Sequence, residues 1–499
     1  MIHKIEYEDR KSSISCYLPN GLAPDKKALD ELREMTALEE TIERLAAVPG
    51  FFEGGGQGIE KIILTPDFHK GAGIPIGTVM MTKGFAVPQA MGNDINCGMR
   101  FYTTDLSEEQ ILANLPELTK KVRHIFFEGG RQIPMTGRQR DALFRYGLEG
   151  LLETYNDSKK SGLWRYYQPD TQEKWLGRTV FRGSLNAKDT EGLEDFIGSY
   201  GQLTYDDQIG TIGGGNHFLE VQRVAEIYDG QTANAWNIKK GAVVVTLHAG
   251  SLTIGHHSGL VNRKICQEIY PAGLAHPENK IYPIPNDGVR QDAWNRFCYT
   301  SGNAANFGFA NRLFLGFMIW DAFTNVLGEC GMQLLYDAPH NYIWKKEIEG
   351  EEYYIHRKGA CCAGGFEEME GTEFACYGEP VMIPGSMGSS SYLLRGLGNP
   401  DSLWSASHGA GRKKSRSDAI KGNDEAFREF MEKFHIITPI DPERNDLKGR
   451  TDILKKWEDE VKAEAPYAYK DIDEVIAVHT THGMADIVAR MEPIFTVKA

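Results

Sequence analysis

The sequence predicts an α/β protein of mixed α+β sheets, folded as a single large domain that contains an insertion. Three observations predict this class. The composition, 41% hydrophobic and 25% charged, is that of an ordinary globular protein. Short apolar runs of strand length alternate with segments of helical periodicity, and no internal repeat or low-complexity tract interrupts them. The length of 499 residues exceeds that of a typical single domain, which favours one large domain with an insertion, or two domains.

The N-terminal part predicts helices at two places. Residues 26–47 carry apolar side chains at helical spacing, and Val48-Pro49-Gly50 ends that helix. A second helix is expected to begin near Ser107, because Ser107-Glu108-Glu109 supplies a cap and an acidic first turn. The strands predicted between these helices are 62–64, which runs into a polar turn at 65–69, then 78–81 and 85–87.

The rest of the chain divides into two kinds of sequence. Residues 125–205 are rich in charge, glycine and aromatic residues, and we interpret them as an insertion or a substrate-facing subdomain. From residue 241 onward, buried strands end in turns that carry a histidine. Strand 242–247 leads to His248 and strand 332–336 leads to His340. The remaining predicted elements are helices at 303–327, 416–434 and 471–492, and a terminal strand at 494–497.

Charge and cysteine content narrow the class of protein. A net charge of −14 argues against a passive nucleic-acid coat protein, although a local basic channel is enough to neutralise a few phosphates. The N-terminus MIHKIEYEDRK has no apolar core of a secretory signal, so we expect none. The most apolar helical stretch, 306–327, contains Arg312 and Asp321 and is too polar to span a bilayer. Eight cysteines at irregular spacing favour a reduced, cytoplasmic setting over a disulfide framework.

Five segments share one design, in which a buried strand or a glycine-rich turn presents a metal-ligating side chain. A thiolate, a carboxylate and several imidazoles suit Mn²⁺, Zn²⁺ or Fe²⁺ better than Mg²⁺ or Ca²⁺, which prefer oxygen ligands. A thiolate can also bridge two ions, and Asp94 and Cys97 in one turn can face the same ion. The segments are 94–97 with Asp94 and Cys97, 213–217 with His217, 247–248 with His248, 338–340 with His340, and 407–409 with His408.

Each of these side chains also has an ordinary structural interpretation. A histidine at a strand end is usually solvated or hydrogen-bonded. A lone buried cysteine usually packs as a small apolar residue, and an aspartate in a turn often acts as a cap. Only the joint pattern indicates a metal enzyme, and spacing alone leads no further.

Phosphate-binding signals are present but weak. The chain contains no Gly-x-x-x-x-Gly-Lys-Ser/Thr sequence, which excludes a P-loop as the nucleotide site. The small-residue turns 213–215 and 384–388 can let backbone N–H groups approach phosphate, although a glycine run more often marks a tight turn. Basic residues concentrate at 356–358 and 412–416. Basic runs usually face solvent, but their placement among glycine turns favours phosphate contact.

Taken together, these segments resemble the RtcB family of tRNA-splicing and RNA-repair ligases. The resemblance runs in order from about residue 55 to the last residue, and several of its motifs are long and unusual. It implies the family's own α/β fold, with 125–205 as the least informative stretch. The motifs are PDFHKGAGIPIG (66–77), GNDINCGMR (92–100), GTIGGGNHFLE (210–220), LHAGS (247–251), YDAPHN (336–341), HRKGA (356–360), PVMIPGSMGSSSY (380–392), SHGAGRKKSR (407–416) and VKA (497–499).

The resemblance implies a two-metal site. Cys97 would bridge two Mn²⁺ ions. His217 and His248 would complete one ion's ligands, and Asp94 and His340 would complete the other's.

The resemblance also implies that GTP is a cofactor and that His408 carries GMP as a covalent histidine–guanylate. Lys498, which by itself would be interpreted as solvent-exposed, would reach the guanine base. The implied GTP- or GMP-binding residues are Asn216, His217, Glu220, His340, Asn341, Pro384, Gly385, Ser386, Met387, Ser391, His408, Gly409, Ala410, Gly411 and Lys498. The expected contacts to RNA phosphate are Lys358, Arg412 and Arg416.

The implied activity is RNA ligation. GMP would pass from the histidine to an RNA 3′-phosphate, and a 5′-hydroxyl end would then displace it; a 2′,3′-cyclic phosphate would first be opened. We therefore expect a cytoplasmic monomer with no membrane partner and two Mn²⁺ per chain. The sequence leaves open whether an activating protein is among its partners.

Two departures from the family pattern put substrate choice in doubt. The family commonly carries arginine where this chain has Leu252, so binding of the RNA end is expected to be rearranged or weakened. After HRKGA come Cys361-Cys362-Ala363 and the acidic run 367–370, which would alter the mouth of the site.

Three other functions stay open at this point. The first is a guanylyltransferase that caps nucleic-acid 3′-phosphate ends without sealing them. The second is a metal-dependent phosphodiesterase that never uses GTP. The third is a catalytically silent RNA-binding module, which the acidic balance and the ligand pattern disfavour.

Overall fold

The computed structural model of the chain describes residues 2–53 and 55–499. The N-terminal part places two helices ahead of the first long strands. In chain order its elements are β1 (Ile2–Ile5), β2 (Ile14–Tyr17), α1 (Lys26–Thr36), α2 (Leu38–Ala46), β3 (Gly58–His69), β4 (Ile76–Lys83), β5 (Phe85–Ala86) and β6 (Gly98–Ser107).

The next part of the chain is mostly helical and begins at a capping box. The Ser107 side chain accepts from the Gln110 amide and the Gln110 side chain accepts from the Ser107 amide, so the helix begins where the sequence predicts it. The elements are α3 (Glu108–Ala113), α4 (Leu115–Phe127), β7 (Pro134–Thr136), α5 (Gly137–Thr154), α6 (Pro169–Leu176), α7 (Glu194–Ile197) and β8 (Leu203–Tyr205).

The C-terminal half alternates strands and helices. Its elements are β9 (Phe218–Ile227), α8 (Gly230–Ala235), β10 (Ala242–Ala249), α9 (Leu252–Ile269), β11 (Ile284–Pro285), α10 (Gln291–Leu327), β12 (Met332–Pro339), β13 (Asn341–Ile348), β14 (Glu351–Lys358), β15 (Ala360–Cys362), β16 (Pro380–Ile383), β17 (Ser391–Gly396), β18 (Ser405–Ser407), α11 (Arg416–Ile420), α12 (Asp424–Lys433), β19 (His435–Ile437), α13 (Thr451–Ala463), α14 (Ile472–Thr481) and β20 (Ala485–Val497).

Two large sheets organise these elements. The first has eight strands, in the order β12-β6-β10-β9-β20-β17-β16, with β19 added beside β20. The second has six strands, in the order β1-β2-β3-β4-β14-β13. Parallel and antiparallel pairs occur in both sheets. The prediction of an α/β protein with mixed sheets is confirmed.

The register of the eight-stranded sheet brings four strand ends to one edge. Gly98, at the start of β6, pairs with Ala249 of β10 and with Pro339 of β12. His248 pairs with Phe218 at the start of β9. The strands pack so closely that a Cβ atom on Gly98 would lie 2.5 Å from the Ala338 carbonyl oxygen, so glycine is required there.

The core is centred on α10, most of whose side chains are buried. Leu313 and Phe314 share one apolar cluster with Trp164 and Trp175 from the 125–205 segment. Each such side chain contributes about 1.5–3 kcal/mol through burial. The segment thus packs on the main core through its own helices, and its description as an insertion or a substrate-facing subdomain stays a prediction.

Several predicted elements have different bounds in the structure. The predicted helix 471–492 is wrong beyond residue 481, because Ala485–Val497 forms one long strand. This strand pairs with β9 on one edge and with β17 on the other. The predicted helix 416–434 is two helices, which Gly422 separates at a φ of 71°. The predicted helix 26–47 is likewise two helices, and the predicted turn 65–69 continues β3 with irregular register.

The structure also bears on two predictions of absence. Across residues 2–53 and 55–499, none of the helices has the length and hydrophobicity needed to cross a membrane. All eight cysteines are free thiols, in agreement with the prediction that they form no disulfide framework.

Candidate active site

The five predicted ligand residues meet at the shared edge of the eight-stranded sheet. Cys97 immediately precedes β6, His248 lies near the end of β10, and His217 precedes β9. His340 links β12 of this sheet directly to β13 of the six-stranded sheet. Asp94 reaches the same point from the turn before β6. Ligands that are separated by up to 246 residues in sequence are therefore neighbours in space.

Their ligand atoms lie within contact distance of one another. The Sγ atom of Cys97 lies 3.1 Å from Nε2 of His217 and 3.1 Å from Nε2 of His248. The Nε2 atoms of His248 and His340 are 3.2 Å apart. The Oδ2 atom of Asp94 is 3.0 Å from Nε2 of His217. Cys97, His248 and His340 form one possible ligand group, and Asp94, Cys97 and His217 form another.

The hydrogen bonds of the imidazole rings favour cation binding. The Nδ1 atoms of His217 and His248 lie 3.0 Å from the carbonyl oxygens of Ile212 and Asn216, which can only accept a hydrogen bond. In both rings a carbonyl oxygen therefore holds Nδ1 and Nε2 is directed toward the cluster, the arrangement that second-shell carbonyls give to histidine ligands in metal sites. Without a bound cation, the lone pairs of the sulfur, carboxylate and imidazole atoms would repel one another at these distances. The residues present are therefore suited to bind one or more cations.

The burial of the ligand side chains also favours cation binding. The Nδ1 atom of His340 is buried and, within residues 2–53 and 55–499, lacks a hydrogen-bond partner. Burial also holds the pKa of His248 and His340 well below the ordinary value, so both rings are neutral. Burial, and next the Asp94 carboxylate, raise the pKa of the Cys97 thiol well above its usual range. A thiolate is therefore expected here only with a cation bound to it.

The geometry divides the ligands differently from the division that the family resemblance implied. His248 groups with His340 rather than with His217, and Asp94 groups with His217. The reason is strand order. Both His248 and His340 end strands that flank β6, whereas His217 precedes β9, the next strand out, and faces the turn that carries Asp94.

A buried arginine fixes the turn that carries Asp94 and Cys97. The Nη1 atom of Arg312, on α10, donates to the carbonyl oxygens of Asn96 (2.6 Å) and Ala249 (2.9 Å). Asn96 has a φ of 58°, a left-handed conformation that asparagine tolerates better than most residues. Arg312 and Arg100 both pair with the Asp337 carboxylate at 2.8 Å, with all three side chains fully buried. Removal of Arg312 would therefore release both ligand-bearing loops.

His408 follows β18 and lies beside this ligand cluster. Its ring centroid lies 4.7 Å from that of His340 and 6.3 Å from that of His248. The Nδ1 atom of His408 is 2.6 Å from Oδ2 of Asp67, which is fully buried on β3. Burial alone would raise the pKa of Asp67, but the hydrogen bond and charge of His408 outweigh it and lower that pKa. The carboxylate thus occupies Nδ1, and Nε2 of His408 has no hydrogen-bond partner within the described residues.

His408 opens into a cleft of about 620 Å³. The cleft is large enough for a nucleotide. Many of the residues that the resemblance assigned to GTP or GMP line it: Asn216, Pro384, Gly385, Ser386, Met387, His408, Gly409, Ala410, Gly411 and Lys498.

Three of the expected nucleotide-binding residues lie behind the cleft surface. Glu220 is buried and accepts hydrogen bonds from Thr496 and from Gln222 at 2.6 Å, and burial raises its pKa to about 7. Ser391 accepts from the same Gln222 at 2.9 Å. Asn341 accepts from the Gly359 amide and donates to the Asp94 carbonyl, so it supports the ligand turn.

The predicted RNA-contact cations are bonded to protein groups. Lys358 donates from Nζ to the carbonyl oxygens of Ala72 (3.1 Å) and Ile74 (2.6 Å), and burial lowers its pKa to about 8. Arg412 and Arg416 both pair with Glu464, at 3.0 and 2.9 Å. Arg416 remains more than half exposed, so of the three it is the freest to meet a ligand. Contact of these cations with RNA stays a prediction.

The sequence interpretation missed several residues of the site. Asp67 lies within the motif PDFHKGAGIPIG (66–77), yet nothing in the spacing assigns it to His408, 341 positions away. Glu464 lies outside every motif, and it lines the cleft because α13 places it opposite Arg412. Arg263 and Lys280 also line the cleft and lie outside every motif. Their positive charge is the one sequence feature that could have identified them as candidate site residues.

Known proteins are similar to this chain over most of its length. The family model described as tRNA-splicing ligase RtcB matches residues 43–499. The tRNA-splicing ligase RtcB of Nanoarchaeum equitans is 32% identical over 433 residues, which cover 83% of this chain and 82% of that protein. The corresponding protein of Thermococcus kodakarensis is 29% identical over 517 positions, covering 100% and 98%. The RNA-splicing ligase RtcB of Mycobacterium bovis is 32% identical over 438 residues, covering 83% and 90%.

Proposed function

Since this chain belongs to the tRNA-splicing ligase RtcB family, we propose that it is an RNA ligase that joins a 3′-phosphate or 2′,3′-cyclic phosphate end to a 5′-hydroxyl end through GMP carried on His408. One observation supports the proposal above all others. A histidine with a free Nε2 atom, held by a buried carboxylate, lies beside a cluster of metal-ligand side chains in a cleft of nucleotide size. GTP supplies the guanylate.

In the first step His408 acts as the nucleophile. Its Nε2 atom attacks the α-phosphorus of GTP, a nitrogen–phosphorus bond forms, the bond to the bridging oxygen breaks, and pyrophosphate leaves. Asp67 accepts a hydrogen bond from Nδ1–H, which orients the ring and stabilises the positive charge that develops on it. Asp67 is thus a positioning residue for His408.

Asp94, Cys97, His217, His248 and His340 would hold two manganese ions beside the phosphates. When bound, these ions neutralise phosphate charge and make phosphorus easier to attack. The ligand chemistry of one thiolate, one carboxylate and three imidazoles supports Mn²⁺, Zn²⁺ or Fe²⁺, and family membership favours Mn²⁺ among them.

The nucleotide is expected to lie along the wall formed by residues 384–387, 409–411 and Lys498. The small residues of these turns leave room for phosphate and ribose beside backbone N–H groups. Lys498 is buried, and its Nζ donates to the carbonyl oxygens of Gly215 and His217. This wall carries the cation that the guanine base would meet.

The later steps transfer GMP and then release it. An oxygen of the RNA 3′-phosphate attacks the guanylate phosphorus, the nitrogen–phosphorus bond breaks, and His408 is regenerated. The 5′-hydroxyl oxygen of the second strand then attacks the activated 3′-phosphorus, GMP leaves, and the hydroxyl proton is released. A 2′,3′-cyclic end needs one prior hydrolysis to give the 3′-phosphate.

A second candidate function is capping of 3′-phosphate ends without sealing, and Leu252 is the observation that favours it. Leu252 stands where family members commonly carry arginine, and its backbone amide donates to Asp94 Oδ1 at 2.8 Å. Its apolar side chain lies against Gly213 and offers no charge to a phosphate.

Gel electrophoresis of two RNA strands separates these functions. One strand carries a 3′-phosphate, the other a 5′-hydroxyl, and the protein is supplied with GTP and Mn²⁺. Ligation predicts a product as long as both strands together, and this product requires GTP. A shift of one nucleotide without joined product supports capping, whereas shortening of a strand in the absence of GTP supports a phosphodiesterase.

A further inference from the structure

One wall of the cleft has no assigned role in nucleotide binding. It is formed by residues 70–74, 88–93, 259–263 and 279–281, and is here termed the α9 wall. These segments are tied together. Lys358 holds the 72–74 loop, Tyr282 donates its amide to Gln89 at 3.2 Å, and a Cβ atom on Gly255 would lie 2.8 Å from the Asn93 carbonyl oxygen. The wall is therefore a built surface that α9 supports.

Arg263 of α9 is an unpaired cation in this wall. Its Nε atom is buried, and among residues 2–53 and 55–499 it has neither a hydrogen-bond partner nor an acidic partner. The neighbouring Asn262 is also buried and lines the cleft. It donates to Ser301 Oγ at 3.0 Å, while its Oδ1 has no donor in the described part of the chain. Adjacent buried donor and acceptor atoms without partners indicate a polar ligand that supplies both.

The charge of the cleft indicates what kind of ligand. The chain as a whole carries −14, yet seven Lys or Arg residues line the cleft and Glu464 is its one acidic lining residue in the part of the chain that the structure describes. Lys358, Arg412 and Arg416 already have protein partners. On the α9 wall, Arg263, Lys70 and Lys280 have no ion-pair partner among the described residues. Such a wall fits a polyanion with regularly spaced phosphates.

We propose that Arg263 binds a backbone phosphate of the RNA strand and that Asn262 accepts a hydrogen bond from a ribose 2′-hydroxyl, with Lys70 and Lys280 adding charge. The planar guanidinium donates two parallel hydrogen bonds to one phosphate. The 2′-hydroxyl is the donor that distinguishes RNA from DNA. The proposal rests on the proposed ligase function, because that function makes RNA the polyanion.

The position of Arg263 on α9 indicates which part of the strand it contacts. Helix α9 begins at Leu252, whose amide binds Asp94, and Arg263 lies eleven residues farther on. At 1.5 Å per residue this is roughly 16 Å along the helix. Arg263 therefore contacts the body of the RNA strand rather than its reacting end. It also supplies a positive charge for RNA binding, which Leu252 at the start of the same helix does not.

Direct binding of a fluorescent single-stranded RNA with a 3′-phosphate tests this inference, by anisotropy, with Mn²⁺ and without GTP. We expect Arg263→Gln to weaken binding about tenfold, with a smaller loss for Arg263→Lys. We also expect the slope of log affinity against log salt to fall by about 0.7, the value for one phosphate contact on a single strand. Asn262→Ala is expected to reduce the preference for RNA over the DNA strand of equal sequence.

Lys264→Gln is the matched control, since Lys264 is adjacent on α9, exposed, and faces Glu268 at 3.9 Å outside the cleft. Equal affinity and equal salt slope for Arg263→Gln and Lys264→Gln would overturn the inference, as would wild-type protein that binds no RNA. Thermal melting of Arg263→Lys and Arg263→Gln separates loss of fold from loss of contact.

The ligase proposal fails by a different result. If wild-type protein takes no label from GTP but binds RNA in an Arg263-dependent way, the proposed guanylylation of His408 is wrong and the proposed RNA contact of Arg263 is supported. If wild-type protein is labelled by GTP and joins RNA ends while Arg263→Gln binds RNA as wild type does, the ligase proposal is supported and the proposed RNA contact of Arg263 is wrong.

Discussion

The Nδ1 atom of His408 lies 2.6 Å from the Oδ2 atom of Asp67, and this contact joins the six-stranded sheet to the end of the two-stranded β15–β18 sheet at the active site. Asp67 belongs to β3 of the six-stranded sheet, whereas the ring of His408 faces His340 and His248 at the edge of the eight-stranded sheet. The amide of Asp67 also donates to Ser407 Oγ at 3.2 Å. The contact occupies Nδ1, so Nε2 is the ring nitrogen that remains available to react.

Asp67→Asn is expected to slow labelling of the protein by GTP about 10²-fold or more at saturating GTP. The amide cannot stabilise a positively charged imidazole as the carboxylate does, and it can favour the wrong tautomer of His408. The KM for GTP should stay near the wild-type value, because Asp67 lies behind His408. A labelling rate equal to that of wild type would show that the contact has no part in the reaction.

Metal content tests whether Cys97 is shared between two sites. Because Cys97 belongs to both ligand groups, Cys97→Ala should lose two manganese ions per chain, while Asp94→Ala and His340→Ala should each lose one. Mass spectrometry of protein loaded with Mn²⁺ and then dialysed gives the stoichiometry. His256→Ala, which removes an exposed histidine on α9, is the control and should keep both ions. Loss of one ion in Cys97→Ala would exclude a bridging thiolate.

Much of this site could be predicted from sequence, because strands that end in ligand-bearing turns are a local pattern. Cys97, His248 and His340 each follow or precede a recognisable apolar run. The order of strands in the sheet is not local, so the division of ligands between the two groups could not be predicted. Asp67 and His408 illustrate the same limit, since their contact depends on how two sheets meet.

Other differences come from context that overrides local periodicity. Residues 485–492 have helical spacing of apolar side chains, yet they form a strand because β9 and β17 offer pairing on both edges. Lys498 is buried because that strand ends inside the cleft, whereas a lysine near a chain end normally faces water.

Arg312→Met is expected to lower the free energy of unfolding by about 3 kcal/mol or more, because it leaves two carbonyls and part of the Asp337 carboxylate buried without partners. Urea denaturation measures the change. The control is Arg182→Met, which breaks half-exposed pairs with Glu149 and Glu173 and should cost about 1 kcal/mol or less. The variant should also bind less manganese. Equal stability of the two variants would contradict the role given to Arg312.

Lys498 provides a prediction about pH. Burial lowers its pKa from the ordinary 10.5 to about 8, so between these values the unfolded chain holds a proton that the folded protein lacks. Stability from this residue is therefore lowest below about pH 8 and rises with pH toward 10.5. We expect the Lys498→Met variant to have a larger free energy of unfolding than wild type at pH 7. This difference should shrink by up to about 3 kcal/mol between pH 7 and pH 10.

Chemical denaturation at several pH values measures this difference, with Lys413→Met as the exposed-lysine control. A difference between Lys498→Met and wild type that does not change with pH would contradict a lowered pKa. In a separate assay, Lys498→Met should raise the KM for GTP.

The central claim is that His408 carries GMP, and labelling with GTP radioactive at the α-phosphate tests it most directly. Wild-type protein with Mn²⁺ is expected to gain a covalent label that acid removes and alkali does not, as a histidine phosphoramidate behaves. The label should map to the peptide that contains His408 and be absent from His408→Ala, whose fold is checked by thermal melting. Label that persists in a folded His408→Ala variant, or its absence from active wild-type ligase, would contradict the account.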